Sequence, residues 1–104
     1  MTIAIGNVTT TPTAMYTSTG NTAITYLNLC NYSGANVTAN VYVVPNGSSF
    51  STLNQNVANQ SITTLDSFQY YVGPEKLLVE NGDTVVVSCS ANNSINCTTS
   101  FISI

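Results

Sequence analysis

The chain has 104 residues, of which 43% are hydrophobic and only 5% are charged, and its formal net charge is −3. This length allows one domain, which can bury roughly 65% of the surface of the unfolded chain. Thr, Asn and Ser, with 16, 14 and 12 copies, take the place of the missing charges. The sequence contains no His or Arg, and Lys76 is its single basic residue. Nucleic-acid binding is therefore disfavoured, because almost nothing in the chain can neutralise phosphates.

Composition also disfavours catalysis. Without His, general base chemistry would fall to Cys, Tyr or the four carboxylates, namely Asp66, Glu75, Glu80 and Asp83. Nothing in the sequence positions two of them as an acid and base pair, so we predict no catalytic residue, no metal site and no cofactor. No apolar stretch approaches the ~20 residues that span a membrane. The N-terminus lacks the basic and apolar regions of a secretory signal, which favours a chain that is made and assembled inside a cell.

The first part of the chain is poor in core residues. We predict an N-terminal arm or edge strand over residues 1–20, with a disordered tail as the alternative, and a β-sandwich domain over residues 21–104. Residues 22–31 and 37–44 then alternate in polarity, as half-buried strands do. In the first strand we place Ala23, Thr25, Leu27 and Leu29 on one face, and in the second Val37, Ala39, Val41 and Val43. The short polar connection between the strands predicts a hairpin.

The middle of the chain is less regular. Residues 48–60 predict a loop with at most one helical turn, because Ser, Thr and Asn are poor interior helix formers. Residues 62–65 predict a short strand. Phe68, Tyr70 and Val72 indicate another, which Gly73 and Pro74 end.

The last third of the chain contains the clearest turn. Asn81 and Gly82 lie between two β-rich runs, which predicts a hairpin with a type I′ turn, and Asp83 is placed to cap that turn. A final strand over residues 95–104 ties the C-terminus into a sheet. The sequence therefore predicts seven or eight short strands and an antiparallel β-sandwich of immunoglobulin-like or jelly-roll topology.

The three cysteines are Cys30, Cys89 and Cys97. Their odd number excludes full pairing, and their spacing does not match a zinc site. We expect small, free, buried or half-buried side chains. A bridge between Cys89 and Cys97 across a hairpin stays open as the alternative.

The strands present mainly Thr, Ser, Asn and Tyr to the outside. Such neutral groups lose less on desolvation than charges do, and this favours a surface that neighbouring subunits cover. Tyr16, Tyr26, Tyr42, Tyr70 and Lys76 are the interface candidates. Lys76 is expected to pair with a carboxylate of a neighbour, or simply to help solubilise an exposed hairpin. The alternative for the whole chain is a soluble domain from an organism that favours Asn and Thr.

Two blocks of the sequence, Tyr26–Asn31 with Val37–Pro45 and then Lys76–Val85, resemble small structural proteins of tailed-phage virions. The resemblance extends over residues 23–104. It implies an immunoglobulin-like β-sandwich that is an accessory component of the virion and has no catalytic residue. It does not determine where on the particle such a domain lies.

Function is therefore expected to be structural. The first hypothesis is a capsid decoration (cement) protein, assembled in the host cytoplasm, that binds the major capsid protein or other virion proteins as a homo-oligomer, with a trimer favoured. A neck or tail adaptor, or a tail-tip subunit, is the second hypothesis. The third is a host-attachment module whose tyrosines bind carbohydrate.

Overall fold

The computed structural model describes residues 2–70 and 77–104. These residues form an all-β sandwich of two antiparallel sheets, which confirms the predicted fold class. The strands are β1 (Thr2–Val8), β2 (Thr13–Thr17), β3 (Thr22–Asn31), β4 (Val37–Val44), β5 (Gln55–Ile62), β6 (Ser67–Tyr70), β7 (Leu77–Val79), β8 (Thr84–Cys89) and β9 (Ile95–Ser103). A 3₁₀ turn at Thr52–Asn54 precedes β5.

The order of the strands identifies the topology. The first sheet has the order β1-β9-β3-β6, with β7 also paired to β3, and the second has the order β2-β8-β4-β5. Since β6 and β7 pair with opposite ends of β3, they act together as one interrupted strand. Each sheet then has four strands, and the chain changes sheet at every connection except β4–β5 and β6–β7. This is the order of a jelly roll, one of the two topologies that the sequence left open.

Two predicted hairpins are wrong for the same reason. β3 pairs with β9, β6 and β7, whereas β4 pairs with β5 and β8, so the connection after β3 crosses between the sheets. The Asn81-Gly82 turn likewise joins β7 in one sheet to β8 in the other. Alternation in polarity determines which face of a strand is buried, but two strands that face each other across a core have the same alternation as two that pair.

The core lies between the sheets. Val37, Ala39 and Val41 of β4 are buried as predicted, opposite the buried Leu27 and Leu29 of β3. The predicted faces of β3 are wrong in its first half. A bulge between Ile24 and Tyr26 shifts the alternation by one residue, so that Ile24 belongs to the core cluster.

The middle segment departs from the prediction in one strand. Residues 55–60, predicted as loop, belong to β5, and Ile62 ends this strand instead of opening another. The sequence does not predict β5 because it is an edge strand with few buried positions, so most of its side chains are polar and show no apolar alternation. β6 covers the first part of the predicted strand that contains Phe68 and Tyr70. Val72, Gly73 and Pro74 lie outside the described residues.

The first 20 residues contribute one edge strand to each sheet. β1 pairs with β9, and β2 pairs with β8. The final strand runs along the centre of the first sheet, and the backbone N–H of Ile104 donates to the carbonyl of Asn21 at 3.0 Å. The C-terminal strand is thus tied into the sheet, as predicted.

Asn31, at the end of β3, holds the loops at one end of the sandwich. Its side chain is 0% exposed. Its Nδ2 donates to the carbonyls of Ala35 (2.8 Å) and Ile62 (3.0 Å). Its Oδ1 accepts from the backbone N–H of Ser33 (3.0 Å) and from the Ser33 hydroxyl (2.7 Å). Every hydrogen-bonding position of this buried amide is therefore used.

Replacing Asn31 by Asp should destabilise the fold. The carboxylate cannot donate, so it would face the carbonyls of Ala35 and Ile62 without a hydrogen between them, at a cost of about 1–3 kcal/mol or more. Asn36→Asp is the matched control, because exposed Asn36 only accepts, from the backbone N–H of Thr64 at 3.0 Å, and a carboxylate accepts equally well. Urea unfolding at pH 7 measures both variants. Equal stability of the two would contradict the role of Asn31.

Candidate interaction surfaces

Tyr16 lies in the core of the sandwich. Only 8% of it is exposed, and its ring centroid is 4.3 Å from that of Phe101. Its hydroxyl lies 3.0 Å from the Thr22 hydroxyl, which in turn lies 2.9 Å from the hydroxyl of Ser18. The prediction that Tyr16 is an interface residue is therefore wrong, because Tyr16 belongs to the core. A bulge between Ala14 and Tyr16 in β2 accompanies this inward placement.

Tyr26 and Tyr42 are half-buried residues on the outside of the two sheets. Gln69 donates from Nε2 to the Tyr26 hydroxyl at 3.5 Å, across the β3–β6 pair. The ring of Tyr42 lies 5.4 Å from that of Phe50, which is 47% exposed. Both tyrosines thus offer a part of their rings to a partner, on opposite faces of the molecule.

Tyr70 and Lys76 are the two other interface candidates. Tyr70 ends β6, where its backbone pairs with Leu27. Lys76 lies outside the described residues, so its proposed pairing with a neighbour stays a prediction.

The predicted turn is present, but it differs in type. The backbone N–H of Asp83 donates to the carbonyl of Glu80 at 3.0 Å, which closes the turn. Gly82 has a φ of +87°, whereas Asn81 is not in the positive-φ region, so this is not the type I′ turn that the sequence predicts. Asp83 caps the turn as predicted, because its Oδ2 accepts from the backbone N–H of Glu80 at 2.8 Å.

This turn also binds the two neighbouring loops. Asp83 Oδ1 accepts from the backbone N–H of Asn46 at 2.9 Å. The side chain of Asn81 accepts from the N–H of Gly20 at 2.9 Å, and the N–H of Gly82 donates to the carbonyl of Ser18 at 2.9 Å. The turn therefore joins three loops at one end of the sandwich and is a structural element rather than a free surface.

Gly82→Ala should destabilise the fold by about 1 kcal/mol or more, because a Cβ at positive φ is strained. The added Cβ would also lie 2.6 Å from Cγ of Asn46, so that side chain would have to move. Gly34→Ala is the control, since Gly34 has an ordinary φ and no atom within 4 Å of an added Cβ. Thermal unfolding of both variants tests this, and a stability loss in Gly34→Ala as large as in Gly82→Ala would refute it.

An open groove of about 620 Å³ lies beside β1. Its lining includes Ile5, Asn7, Tyr32, Asn96 and Thr98. Tyr32 is 45% exposed, and its hydroxyl donates to Asn7 Oδ1 at 2.7 Å. These lining side chains are neutral amides, hydroxyls and apolar groups, so the groove suits an uncharged ligand. The sequence does not predict this groove, because its side chains come from separate segments that carry no recognisable motif.

The carboxylates of the described residues, namely Asp66, Glu80 and Asp83, lie in loops. Asp66 lies beside the end of β3, where its carbonyl accepts from the backbone N–H of Asn31 at 2.9 Å. Asp83 lies near the other end of β3. Because a strand rises ~3.3 Å per residue, the length of β3 separates Asp66 from Asp83 by about 30 Å. These two carboxylates cannot act as an acid and base pair within one copy of the chain.

Cys30, Cys89 and Cys97 are free, and β8 and β9, which hold Cys89 and Cys97, belong to different sheets. The hairpin that a bridge between them required is therefore absent. Cys89 and Cys97 are buried in the core, and Cys30 is half-buried on the outside of β3. Burial raises the pKa of the Cys97 thiol to about 11 and also raises the pKa of Cys89.

Alkylation should distinguish these thiols. At pH 8 we expect iodoacetamide to modify Cys30 first, because Cys89 and Cys97 are covered and, with raised pKa values, form little thiolate. Mass spectrometry of the intact chain should show one adduct when folded and three in urea. A Cys30→Ser variant that still gains an adduct at the same rate would contradict this order.

Comparison of the chain with protein-family profiles, with curated proteins and with solved structures finds no match. Within residues 2–70 and 77–104, no helix has the length and apolar character needed to cross a membrane.

Proposed function

We propose that the chain is a non-enzymatic structural protein of tailed-phage virions, and that it binds the outer capsid shell and stabilises it. One observation carries the proposal: none of the nine strands in the described residues contains a charged residue. Within these strands, the outer faces of the sandwich and the edges of both sheets are therefore neutral. A domain that remains alone in water normally carries mixed charges on these surfaces for solubility and against edge-to-edge pairing.

The few charges also have local roles. Asp83 accepts from two backbone N–H groups, and Asp66 Oδ1 accepts from the N–H of Ser67 at 2.8 Å. Both carboxylates thus order turns. Asp66 and Asp83 thus lie in turns rather than on the faces of the sheets, which supports faces that are covered in the assembled state.

Exposed apolar side chains add to this argument. Ile3, Ile5, Leu53, Leu65 and Leu78 are each between 64% and 97% exposed. Single exposed apolar residues are common, but here they accompany faces without charge. The combination favours contact with a protein lattice, where each copy buries an interface of at least ~1,000 Å².

Association with the particle should resist salt. At about 1 M salt the Debye length is only ~3 Å, so exposed charge pairs are screened, while contacts made by hydroxyls, amides and apolar groups persist. Virions from a culture that produces the chain are washed at low and at high salt, sedimented and probed with an antibody. The free chain, sedimented alone, is the control. Release by salt alone would refute a neutral interface.

The copy number separates the positions on the particle. Many copies that cover the shell are expected of a decoration protein, and a few copies at one vertex would instead favour a neck or tail subunit. Quantitative mass spectrometry needs chymotryptic peptides, because Lys76 is the only tryptic cleavage site. Absence of the chain from purified virions would overturn the proposal.

Carbohydrate binding is a second candidate, which the groove beside β1 favours. Tyr32 provides an aromatic surface, and Asn7, Asn96 and Thr98 provide neutral hydrogen-bonding groups. Asn28, which pairs with Thr98 across β3 and β9, has a buried Oδ1 without a hydrogen-bond partner. Glycan-array binding that Tyr32→Ala abolishes would favour this function over a purely structural one.

A further inference from the structure

The open edge of β1 differs from the other sheet edges. β1 pairs with β9 in one unbroken register over seven residues, from Thr2 to Val8. On its other side no strand is paired with it in the described part of the chain. Alternate residues of an edge strand direct their N–H and C=O groups outward, where they remain available to another strand.

The other three edges carry features that hinder pairing. β2 has only five residues and contains a bulge. β5 is interrupted by two register shifts and by Asn59 at a φ of +49°. The edge formed by β6 and β7 consists of two pieces of four and three residues. Bulges and short strands are the usual protection of sheet edges, and β1 lacks both.

The side chains of β1 also permit pairing. Ile3 and Ile5, which point outward on the same face, are 64% and 78% exposed. The strand contains no charge, Pro or bulge that would repel a second strand. An uncharged edge of this length, with exposed apolar side chains and no bulge, is the kind that associates through β-strand addition.

We propose that β1 is a homodimerisation edge, which pairs antiparallel with β1 of a second copy of this chain. The best match for an unbroken seven-residue edge on this molecule is the same edge of another copy, since the other described edges are bulged or short. A two-fold axis through Ile5 pairs all seven residues and places Ile5 opposite Ile5 of the partner. With no charge in β1, the two identical strands do not repel each other.

The inference deepens the proposed function, on which it rests for a role in assembly. It identifies the contact between copies and gives a two-fold dimer in place of the trimer that the sequence favoured. A cyclic trimer built by strand pairing would need two different, complementary edges on each chain, and the described strands offer one unprotected edge. The contact joins the first sheets of the two copies into one continuous sheet.

Cysteine crosslinking tests the register in the isolated chain, with Cys30→Ser as the background. Two residues opposite each other in an antiparallel pair have Cα atoms ~4.5–5.5 Å apart, within the range of a disulfide. Ile5→Cys should therefore form a covalent dimer on oxidation with diamide. Ile3→Cys is the matched control, because in this register Ile3 lies opposite Asn7, about 13 Å along the strands from the partner's Ile3.

Charge substitution tests the dimer without a crosslink. Ile5→Lys places two ammonium groups opposite each other and should weaken dimerisation by about tenfold or more, measured by analytical ultracentrifugation. Leu53→Lys, at a position 97% exposed on the 3₁₀ turn, adds the same charge elsewhere and should leave the dimer intact. Amide hydrogen exchange should show protection of the β1 residues whose N–H groups point away from β9, and this protection should be lost in Ile5→Lys but not in Leu53→Lys.

Three outcomes would overturn the inference: a chain that remains monomeric at millimolar concentration, equal crosslinking of Ile5→Cys and Ile3→Cys, or a dimer that Ile5→Lys does not weaken. These results concern the free chain. A dimer that fails to associate with virions would refute the proposed function and leave the β1 contact standing, and a monomer that decorates virions would do the reverse.

Discussion

The structure depends on side-chain hydrogen bonds that close the two ends of the sandwich. The chain changes sheet at most of its connections, and each such loop turns buried backbone groups away from any ladder. Asn31 satisfies these groups at one end, from a side chain with four hydrogen bonds. Asp83 does so at the other end, where one carboxylate accepts from two loops. These short-range contacts hold the loops together at both ends of the jelly roll.

The alternation of apolar residues made the strands predictable, and with them the fold class. β4 and β9 occur where the pattern places them, because each contributes one face to the core. β5 escaped prediction, since an edge strand of mostly polar residues has no buried face long enough to produce the pattern. The bulge in β3 could not be seen either. Its effect on Ile24 follows from pairing with β9, and the identity of the pairing partner is not encoded in local alternation.

The candidate surfaces were predictable only in their chemistry. Composition indicated neutral faces, and the strands are indeed free of charge. Whether a tyrosine reaches the surface depends on which face of its strand it occupies, and the buried Tyr16 follows a bulge in β2 that local alternation does not show. The groove beside Tyr32 depends on the approach of β1 to β9, which brings Asn7 close to residues almost ninety positions later in the chain. A sequence pattern cannot report such a contact, since no local spacing accompanies it.

The hydrogen bonds between the loops and the absence of charge in the described strands together determine which surfaces are open to a binding partner. In many β-sandwiches the loops at one end form the binding site, and they vary while the sheets hold them. Here the loops at both ends bond to one another through Asn31, Asn81 and Asp83, so they are already occupied by contacts within the chain. The two faces and the edge of β1 also carry polar groups that no neighbouring strand covers. Recognition through a face or an edge joins whole sheets, and it suits a subunit of an ordered assembly better than it suits a receptor for small ligands.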